Sequence, residues 1–405
     1  MITLTHSAAP LQGQIDLPAS KSESNRALIM QGLSGNQIQL ENLSSARDTQ
    51  TMIRLLESEG HVLDVIDAGT TMRFLTAYFA AVGRDQILTG TPRMCKRPIG
   101  ILVDALRQLG AEVLYWKQEG FPPLHLVSKG ERLQGGEITM QGNVSSQFIS
   151  AVLMIAPVLR GGLTLHLEGD ISSRPYIEMT RGLMAHFGVQ TQWQGQTLHV
   201  PQQAYQPMRY RIESDWSAAS YWYSFVALAD QAEVTLTGLR QDSYQGDQRI
   251  ATLMEAFGVQ TTYRTEGVTL TRCPVQREAL PPEIDFTEVP DLAQTLAVVA
   301  AALDHPLRLS GLHTLRVKET DRIEALATEL SKVGVQVETD LDALTLQGGF
   351  TPQAAHIHTY DDHRMAMAFA PLIMRVPKLT FDDPTVVVKS YPEFWDHLRQ
   401  VGITG

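Results

Sequence analysis

The sequence predicts an α/β protein of two domains, built from six copies of one helix–strand unit. The first observation is a recurring helix end closed by glycine and then usually followed by an apolar residue: MIRLLESEGHV, LVDALRQLGAEV, RGLMAHFGVQT, ATLMEAFGVQT, ATELSKVGVQV and WDHLRQVGIT. The glycines are Gly60, Gly110, Gly188, Gly258, Gly334 and Gly402. Four residues before each stands Leu or Met: Leu56, Leu106, Met184, Met254, Leu330 and Leu398. This is the pattern of a helix ended by a left-handed glycine cap and continued as a strand. The second observation is the spacing, 50, 78, 70, 76 and 68 residues. Single joints of this kind occur in any α/β protein, but even spacing along the whole chain favours a repeat.

The third observation runs in step with the first. Six segments begin polar and turn apolar: SESNRALIM from Ser22, GTTMRFLTAYFAA from Gly69, SSQFISAVLMIA from Ser145, DWSAASYWYSFVALA from Asp215, DLAQTLAVVAAAL from Asp291 and DDHRMAMAFAPLI from Asp361. Ser, Asp and Gly suit helix starts, and the apolar runs suit buried helices. Alternating runs such as LTLHL (163–167), EVTLTGL (233–239) and GVTLT (267–271) supply strands. Each unit therefore holds one buried helix and one surface helix that ends at glycine. Six units divide into three and three. YQPMRYR (205–211) lies between the third and fourth copies, reads as a connection, and puts the boundary near 211–213.

Composition narrows the function. Of 405 residues, 43% are hydrophobic, enough for full cores. Lys and Arg number 33 against 44 Asp and Glu, a net charge of −11, which argues against a general nucleic-acid binder. Two cysteines, Cys95 and Cys273, make neither a disulfide framework nor a four-cysteine zinc site, and point to a reducing cytoplasm. Met1–Pro10 lacks the basic and apolar regions of a signal peptide. The most apolar stretches are shorter than the roughly 18–20 residues a membrane helix needs. A soluble protein is expected, with neither nucleic-acid nor membrane partners.

Helix N-termini carry partial positive charge and unpaired N–H groups. If the buried helices of a domain run the same way, their starts gather at one end, and two such domains facing each other make a cleft for anions. The basic residues sit where this idea needs them: Lys21 and Arg26, Arg73, Arg97, Lys318 and Arg322, Arg364, and Lys389. Ser145-Ser146-Gln147 and Ser172-Ser173-Arg174 add hydroxyl, amide and guanidinium donors, which suits a phosphorylated, hydroxyl-rich ligand. Asp291 opens an otherwise uncharged helix, where a capping role and a base toward a substrate hydroxyl both fit. Glu319, beside Lys318, is a second acid/base candidate, or half of a surface ion pair. A competing constellation is His356, His358, Asp361, Asp362 and His363, whose histidine pair and carboxylates have metal-site character. No G-x-S-x-G, P-loop or dinucleotide fingerprint occurs.

The segments LPASKSESNRALIM, DAGTTMRFL, LTGTPRMCKRPIG, GNVSSQFISA, ISSRPYIEMT, VPDLAQTLA, RVKETDRIEAL, YDDHRMAMA and VKSYPEFW together resemble the 5-enolpyruvylshikimate-3-phosphate synthase family, across nearly the whole chain. The resemblance implies a two-domain inside-out α/β barrel with three βαβαββ-like units per domain. It implies a first domain over 19–212 and a second made of 1–18 plus 213–405, with the active site in the cleft between them. The implied reaction transfers the carboxyvinyl group of phosphoenolpyruvate to the 5-hydroxyl of shikimate 3-phosphate, in the shikimate pathway to chorismate and the aromatic amino acids. By the same resemblance, Lys21, Ser22, Arg26, Ser145, Ser146, Gln147, Ser173, Asp291 and Lys318 hold shikimate 3-phosphate, with Tyr176 near its ring. Lys21, Gly69, Arg97, Gln147, Arg322, Arg364 and Lys389 hold phosphoenolpyruvate, while Asp291, Glu319 and Lys21 move protons. A cytoplasmic monomer, no metal or organic cofactor, and competition by glyphosate are also implied.

Three positions depart from the family pattern: Asp67 for Asn, Phe74 for Pro, and Thr314 where some members have Asn. The sister family, UDP-N-acetylglucosamine enolpyruvyl transferase, pairs its lysine with Asn where Ser22 stands here and sets its cysteine in a longer loop than that of Cys95. A binder of phosphorylated small molecules without catalysis is the alternative of another class.

Overall fold

A computed structural model describes residues 1–6, 9–128, 130, 133–143 and 145–405. The chain divides into two compact units, Lys21–Ile212 and Met1–Ser20 with Glu213–Gly405. The first unit carries α1 Lys21–Leu33, α2 Arg47–Glu57, α3 Gly69–Val82, α4 Gly100–Gln108, α5 Ser146–Ile155 and α6 Arg174–His186. The second carries α7 Trp216–Leu228, α8 Ile250–Leu253, α9 Ala293–Ala302, α10 Arg322–Ser331, α11 His363–Phe369 and α12 Phe394–Gln400.

The odd-numbered helices are the polar-to-apolar segments. Every residue of α9 and α11 is buried, as an all-round apolar helix must be. In one unit α1, α3 and α5 pack on one another; in the other α7, α9 and α11 do. Each unit thus places three helices at its core.

The even-numbered helices are the glycine-ended ones. Gly110, Gly188, Gly258, Gly334 and Gly402 have φ between +83° and +90°, the left-handed cap the pattern predicts. Gly60 departs from it. Helix α2 stops at Glu57, and Ser58 is already extended with φ −72° and ψ 134°, so the chain leaves this helix without a left-handed residue at Gly60.

The described strands form three sheets in each unit; four of the six share one plan, and a fifth takes Ile2–His6 in place of the hairpin's second strand. Two parallel strands flank a buried helix, and a surface helix then leads into an antiparallel hairpin whose second strand pairs back. Val62–Asp64, Gln86–Thr89, Glu112–Tyr115 and Leu124–Val127 show it, as do Glu283–Asp285, Leu307–Ser310, Gln336–Thr339 and Leu344–Gly348. The sixth sheet has two strands and no hairpin, which accounts for the short 50-residue spacing after Gly60.

Two strands are exchanged in chain order. Leu11–Ile15 precedes α1 but pairs in parallel with Ala232–Thr237, after α7. Arg209–Arg211 precedes α7 but pairs in parallel with Gln39–Glu41, after α1. The segment read as a connection therefore ends in a strand, because its partner is a distant edge that local sequence does not reveal. Ile2–His6 completes the last sheet between Leu379–Phe381 and Ile403–Thr404. No described helix is long and apolar enough to cross a membrane.

Candidate active site

In the Lys21–Ile212 unit the starts of α1, α2, α3 and α5 are tied together by side chains. Lys21 Nζ lies 3.1 Å from Asp48 Oδ2, and the Asp48 carbonyl accepts from Thr71 Oγ1 at 3.2 Å. Ser145 caps α5 by accepting from the Gln147 N–H. Gln147 then bridges to α3: its Oε1 accepts from Arg73 Nη1 at 3.1 Å and its Nε2 donates to Thr70 Oγ1 at 3.1 Å. The Arg73 guanidinium also lies over the Phe148 ring, 5.1 Å from its centroid.

Two buried guanidinium groups converge on Gly69, the first residue of α3. A methyl group there would stand 2.6 Å from Arg97 Nη1 and 2.7 Å from Arg73 Nη1. Like charges brought together at a helix N-terminus make an anion site. Glycine is what allows the approach. Arg73, one of the basic residues at helix starts, is joined to these candidates by its bond to Gln147.

Arg26 has a different setting. Its guanidinium is buried and donates to the Ser22 carbonyl (2.9 Å), Thr180 Oγ1 (2.8 Å), Ser150 Oγ (3.3 Å) and the Tyr176 carbonyl (3.4 Å). Burial pulls its pKa down to about 10 against the opposing effect of Tyr176 and Glu23. It ties α1 to α5 and α6 directly beneath Ser22 and Tyr176. Ser173 adopts φ +55° at the start of α6 and makes no capping bond with its side chain, a strained setting of the kind found at ligand sites. The family departures have local explanations. Asp67 forms a two-point ion pair with Arg47, both contacts at 2.9 Å. Phe74 is fully buried beneath Arg26, 5.4 Å from the guanidinium carbon to its ring centroid, and α3 still begins at Gly69.

In the other unit the candidates gather around Asp291. Its carboxylate meets Arg364 Nη2 at 2.9 Å, Arg322 Nη1 at 3.2 Å and Lys318 Nζ at 3.8 Å. The side chain caps no helix, so the capping role is not the one it takes. Burial favours the neutral acid, but Arg364, Lys318 and Arg322 overcome it and hold the carboxyl far below its ordinary range. Glu319 lies 3.2 Å from Arg322 Nη2 and 3.5 Å from Lys389 Nζ, so it is part of the same cluster and not a surface pair. Arg364 also donates to the Tyr221 hydroxyl at 3.2 Å and to Ser217 Oγ at 3.4 Å. Burial pushes the Tyr221 hydroxyl up to about 12 despite Arg364 and Arg322, so it stays neutral. Thr314 Oγ1 is buried with no hydrogen-bond partner among the described residues.

Sequence reading missed the role of Asp362. It is fully buried, accepts from Arg322 Nε at 2.7 Å and Nη2 at 3.2 Å, and caps α11 by accepting from the Arg364 N–H at 2.9 Å. One carboxylate thus orients both arginines. Burial lowers the Arg322 pKa, but Asp362, Glu319 and Asp291 more than offset it and raise it above its ordinary value. The cluster sets four cations against three carboxylates and keeps an excess of positive charge for an anion.

His356 and His358 do lie together, with ring centroids 5.1 Å apart. His358 Nδ1 meets Asp382 Oδ2 at 2.9 Å, while Asp382 Oδ1 accepts from Thr359 and from the Asp383 N–H. That carboxylate is taken up in shaping the turn before α11.

The sequence matches the family of EPSP synthase, 3-phosphoshikimate 1-carboxyvinyltransferase, over residues 5–62 and 54–398. The chain belongs to the EPSP synthase family. It is 49% identical over 403 residues to the 3-phosphoshikimate 1-carboxyvinyltransferase of Bacteroides fragilis (strain YCH46), covering 98% of this chain and 97% of that one. It is 37% identical to the enzyme of the same name from Vibrio cholerae serotype O1 (strain M66-2), covering 96% and 97%. Its fold is similar to that of an EPSP synthase structure from Acinetobacter baumannii, with TM-score 0.77, 19% identity and coverage of 99% and 98%. The α/β class and the EPSP synthase resemblance read from sequence are borne out.

Proposed function

We propose that this chain catalyses the EPSP synthase reaction: transfer of the carboxyvinyl group of phosphoenolpyruvate to the 5-hydroxyl of shikimate 3-phosphate, with release of phosphate. The observation that carries the reading is Asp291, an ionised carboxylate ringed by Arg364, Arg322 and Lys318. A site of this kind binds polyanions and still offers a proton acceptor.

Ser22, Ser145, Ser146, Gln147 and Ser173 hold shikimate 3-phosphate, with Arg26 bracing α1 against α5 and α6, and Lys318 and Asp291 hold it as well. Lys21 lies between the substrates. Arg97, with Gly69 and Gln147, and Arg322, Arg364 and Lys389 hold phosphoenolpyruvate; Arg73 joins this set.

Protonation of the methylene carbon makes C2 of phosphoenolpyruvate cationic, and the 5-hydroxyl adds to it. Asp291 takes or orients the hydroxyl proton. In the empty site its basicity is suppressed by its three cations. When substrate phosphate and carboxylate engage those cations, the carboxylate becomes a better base at the moment it is needed. Loss of the methyl proton and of phosphate from the tetrahedral intermediate completes the exchange, with Glu319 and Lys21 carrying these protons. Glyphosate competes for the phosphoenolpyruvate positions. The protein works as a cytoplasmic monomer.

Chelator-treated protein supplied with both substrates is expected to release phosphate, and with either alone it is not. Turnover only with UDP-N-acetylglucosamine as acceptor would assign the sister reaction. Activity lost on chelation and restored by zinc in the wild type but not in a His356→Ala/His358→Ala variant would assign a catalytic metal to those histidines.

A further inference from the structure

We propose that His61, Asp85 and His125 form a binding site for a divalent transition-metal ion of the zinc type on the Lys21–Ile212 unit. None of the three belongs to the side chains assigned to the reaction. Sequence spacing gave no hint of them, because the site is made by strand pairing. His61 immediately precedes Val62–Asp64, Asp85 immediately precedes Gln86–Thr89, and His125 lies within Leu124–Val127. Ile87 pairs with Val62 on one side and with His125 on the other, and its N–H donates to the His61 carbonyl at 2.9 Å. Three neighbouring strands therefore bring the three side chains together.

The spacing is close to that of a coordination sphere. His125 Nε2 lies 3.0 Å and His61 Nδ1 3.5 Å from the same oxygen, Asp85 Oδ1, and all three donor atoms fall within 4.8 Å of one another. Ligands about 2.0–2.1 Å from a tetrahedral zinc ion stand about 3.3–3.4 Å apart. Two of the three separations lie close to this value, and the third is no more than 4.8 Å. The two imidazole rings are nearly perpendicular, with centroids 5.7 Å apart and planes at 85°.

The carboxylate is held from behind. Asp85 Oδ2 accepts from the Ser128 N–H at 3.1 Å, and Ser128 Oγ is bonded to the Gly83 carbonyl. This leaves Oδ1 facing the histidines, the kind of outer bond that orients metal ligands. Side-chain exposures of 55%, 40% and 24% for His61, Asp85 and His125 let an ion enter and let water fill the remaining position. Two imidazoles and one carboxylate favour Zn²⁺, Co²⁺, Ni²⁺ or Cu²⁺ over Mg²⁺ and Ca²⁺. The bound ion would clip the three strands together. Among the described residues this is the group of at least three histidine, cysteine or carboxylate donors gathered so closely; the His356/His358 pair is not part of one.

Isothermal titration of the chelator-treated, desalted full chain with ZnCl₂ tests the site, with the visible spectrum of added Co²⁺ as a second readout. One ion per chain is expected, with no saturable uptake of MgCl₂. His61→Ala, Asp85→Asn and His125→Ala should each weaken zinc binding by roughly tenfold or more, while a His356→Ala/His358→Ala double variant should bind as the wild type does. Zinc should raise the unfolding temperature of the wild type but not of the His61→Ala protein, whose side chain is exposed and whose folding is checked by circular dichroism. Absence of one-to-one binding would overturn the proposal. So would binding unchanged in the three variants, or binding lost only in the His356/His358 variant.

Discussion

Arg322 and Asp362, 40 positions apart, form a buried two-point contact, Nε to Oδ2 at 2.7 Å and Nη2 to Oδ1 at 3.2 Å. The same carboxylate caps the helix that carries Arg364. Two arginines on different helices thus take their orientation from one buried aspartate.

Asp362→Asn keeps a capping oxygen but removes the charge. Breaking a buried ion pair at one partner costs about 3–5 kcal/mol, and because Arg322 keeps Asp291 and Glu319 the loss should fall at or below that range. Denaturant unfolding should show the lower stability, and the KM for phosphoenolpyruvate should rise. An unchanged midpoint with an unchanged KM would show that Asp362 orients nothing.

Asp291→Asn should separate binding from chemistry. Removing the carboxylate leaves Arg364 and Arg322 more cationic toward substrate, so KM values should hold or fall. Turnover should drop by about 10²–10⁴-fold, the usual worth of a general base. Steady-state kinetics with both substrates measure the two effects, and near-wild-type turnover would contradict the assignment.

Gly69→Ala places a methyl group against the ends of Arg97 and Arg73. Those guanidinium groups must retreat, so the KM for phosphoenolpyruvate and the inhibition constant of glyphosate should rise together. Inhibition that phosphoenolpyruvate cannot relieve would contradict a shared site.

Gln147→Ala removes the acceptor of Arg73 and the donor to Thr70. A hydrogen bond to a charged group contributes about 1.5–3 kcal/mol, so binding of phosphoenolpyruvate should weaken by about 10–150-fold. Isothermal titration in the presence of shikimate 3-phosphate reads this directly.

Acid should loosen the turn before α11 through Asp382. Burial raises this carboxyl, but hydrogen bonds from His358, Thr359 and the Asp383 N–H outweigh it and bring the pKa from 3.8 down to about 2. A folded-state pKa below the unfolded one adds stability above pH ~4, and that contribution is lost as pH falls from about 4 to 2. Asp382→Asn should flatten the loss of stability across this window, measured by urea unfolding at successive pH values.

Local pattern revealed much of this architecture and little of its long-range pairing. The six buried helices were legible because polar starts and apolar runs are written in consecutive residues. The glycine caps were legible at five positions and failed at Gly60, where an extended Ser58 ends the helix by another route. The strand role of Arg209–Arg211 was hidden because its partner, Gln39–Glu41, lies far away in sequence. The charged residues of the site stood out by composition at helix starts. What the sequence could not show was which carboxylate meets which cation: Asp362 reads as a helix start and acts as the anchor of Arg322.

The exchanged strands have a consequence for synthesis. The strands Ile2–His6 and Leu11–Ile15 are made before Lys21–Ile212, yet their partners include Ala232–Thr237, Leu379–Phe381 and Ile403–Thr404, which are made after it. Meanwhile Lys21–Ile212 can close on itself as soon as Arg209–Arg211 has emerged to meet Gln39–Glu41. At about 5–20 residues per second, the leading strand waits roughly 20–80 s for its last partner. During that time it is an unpaired edge on a growing chain, open to pairing with another chain.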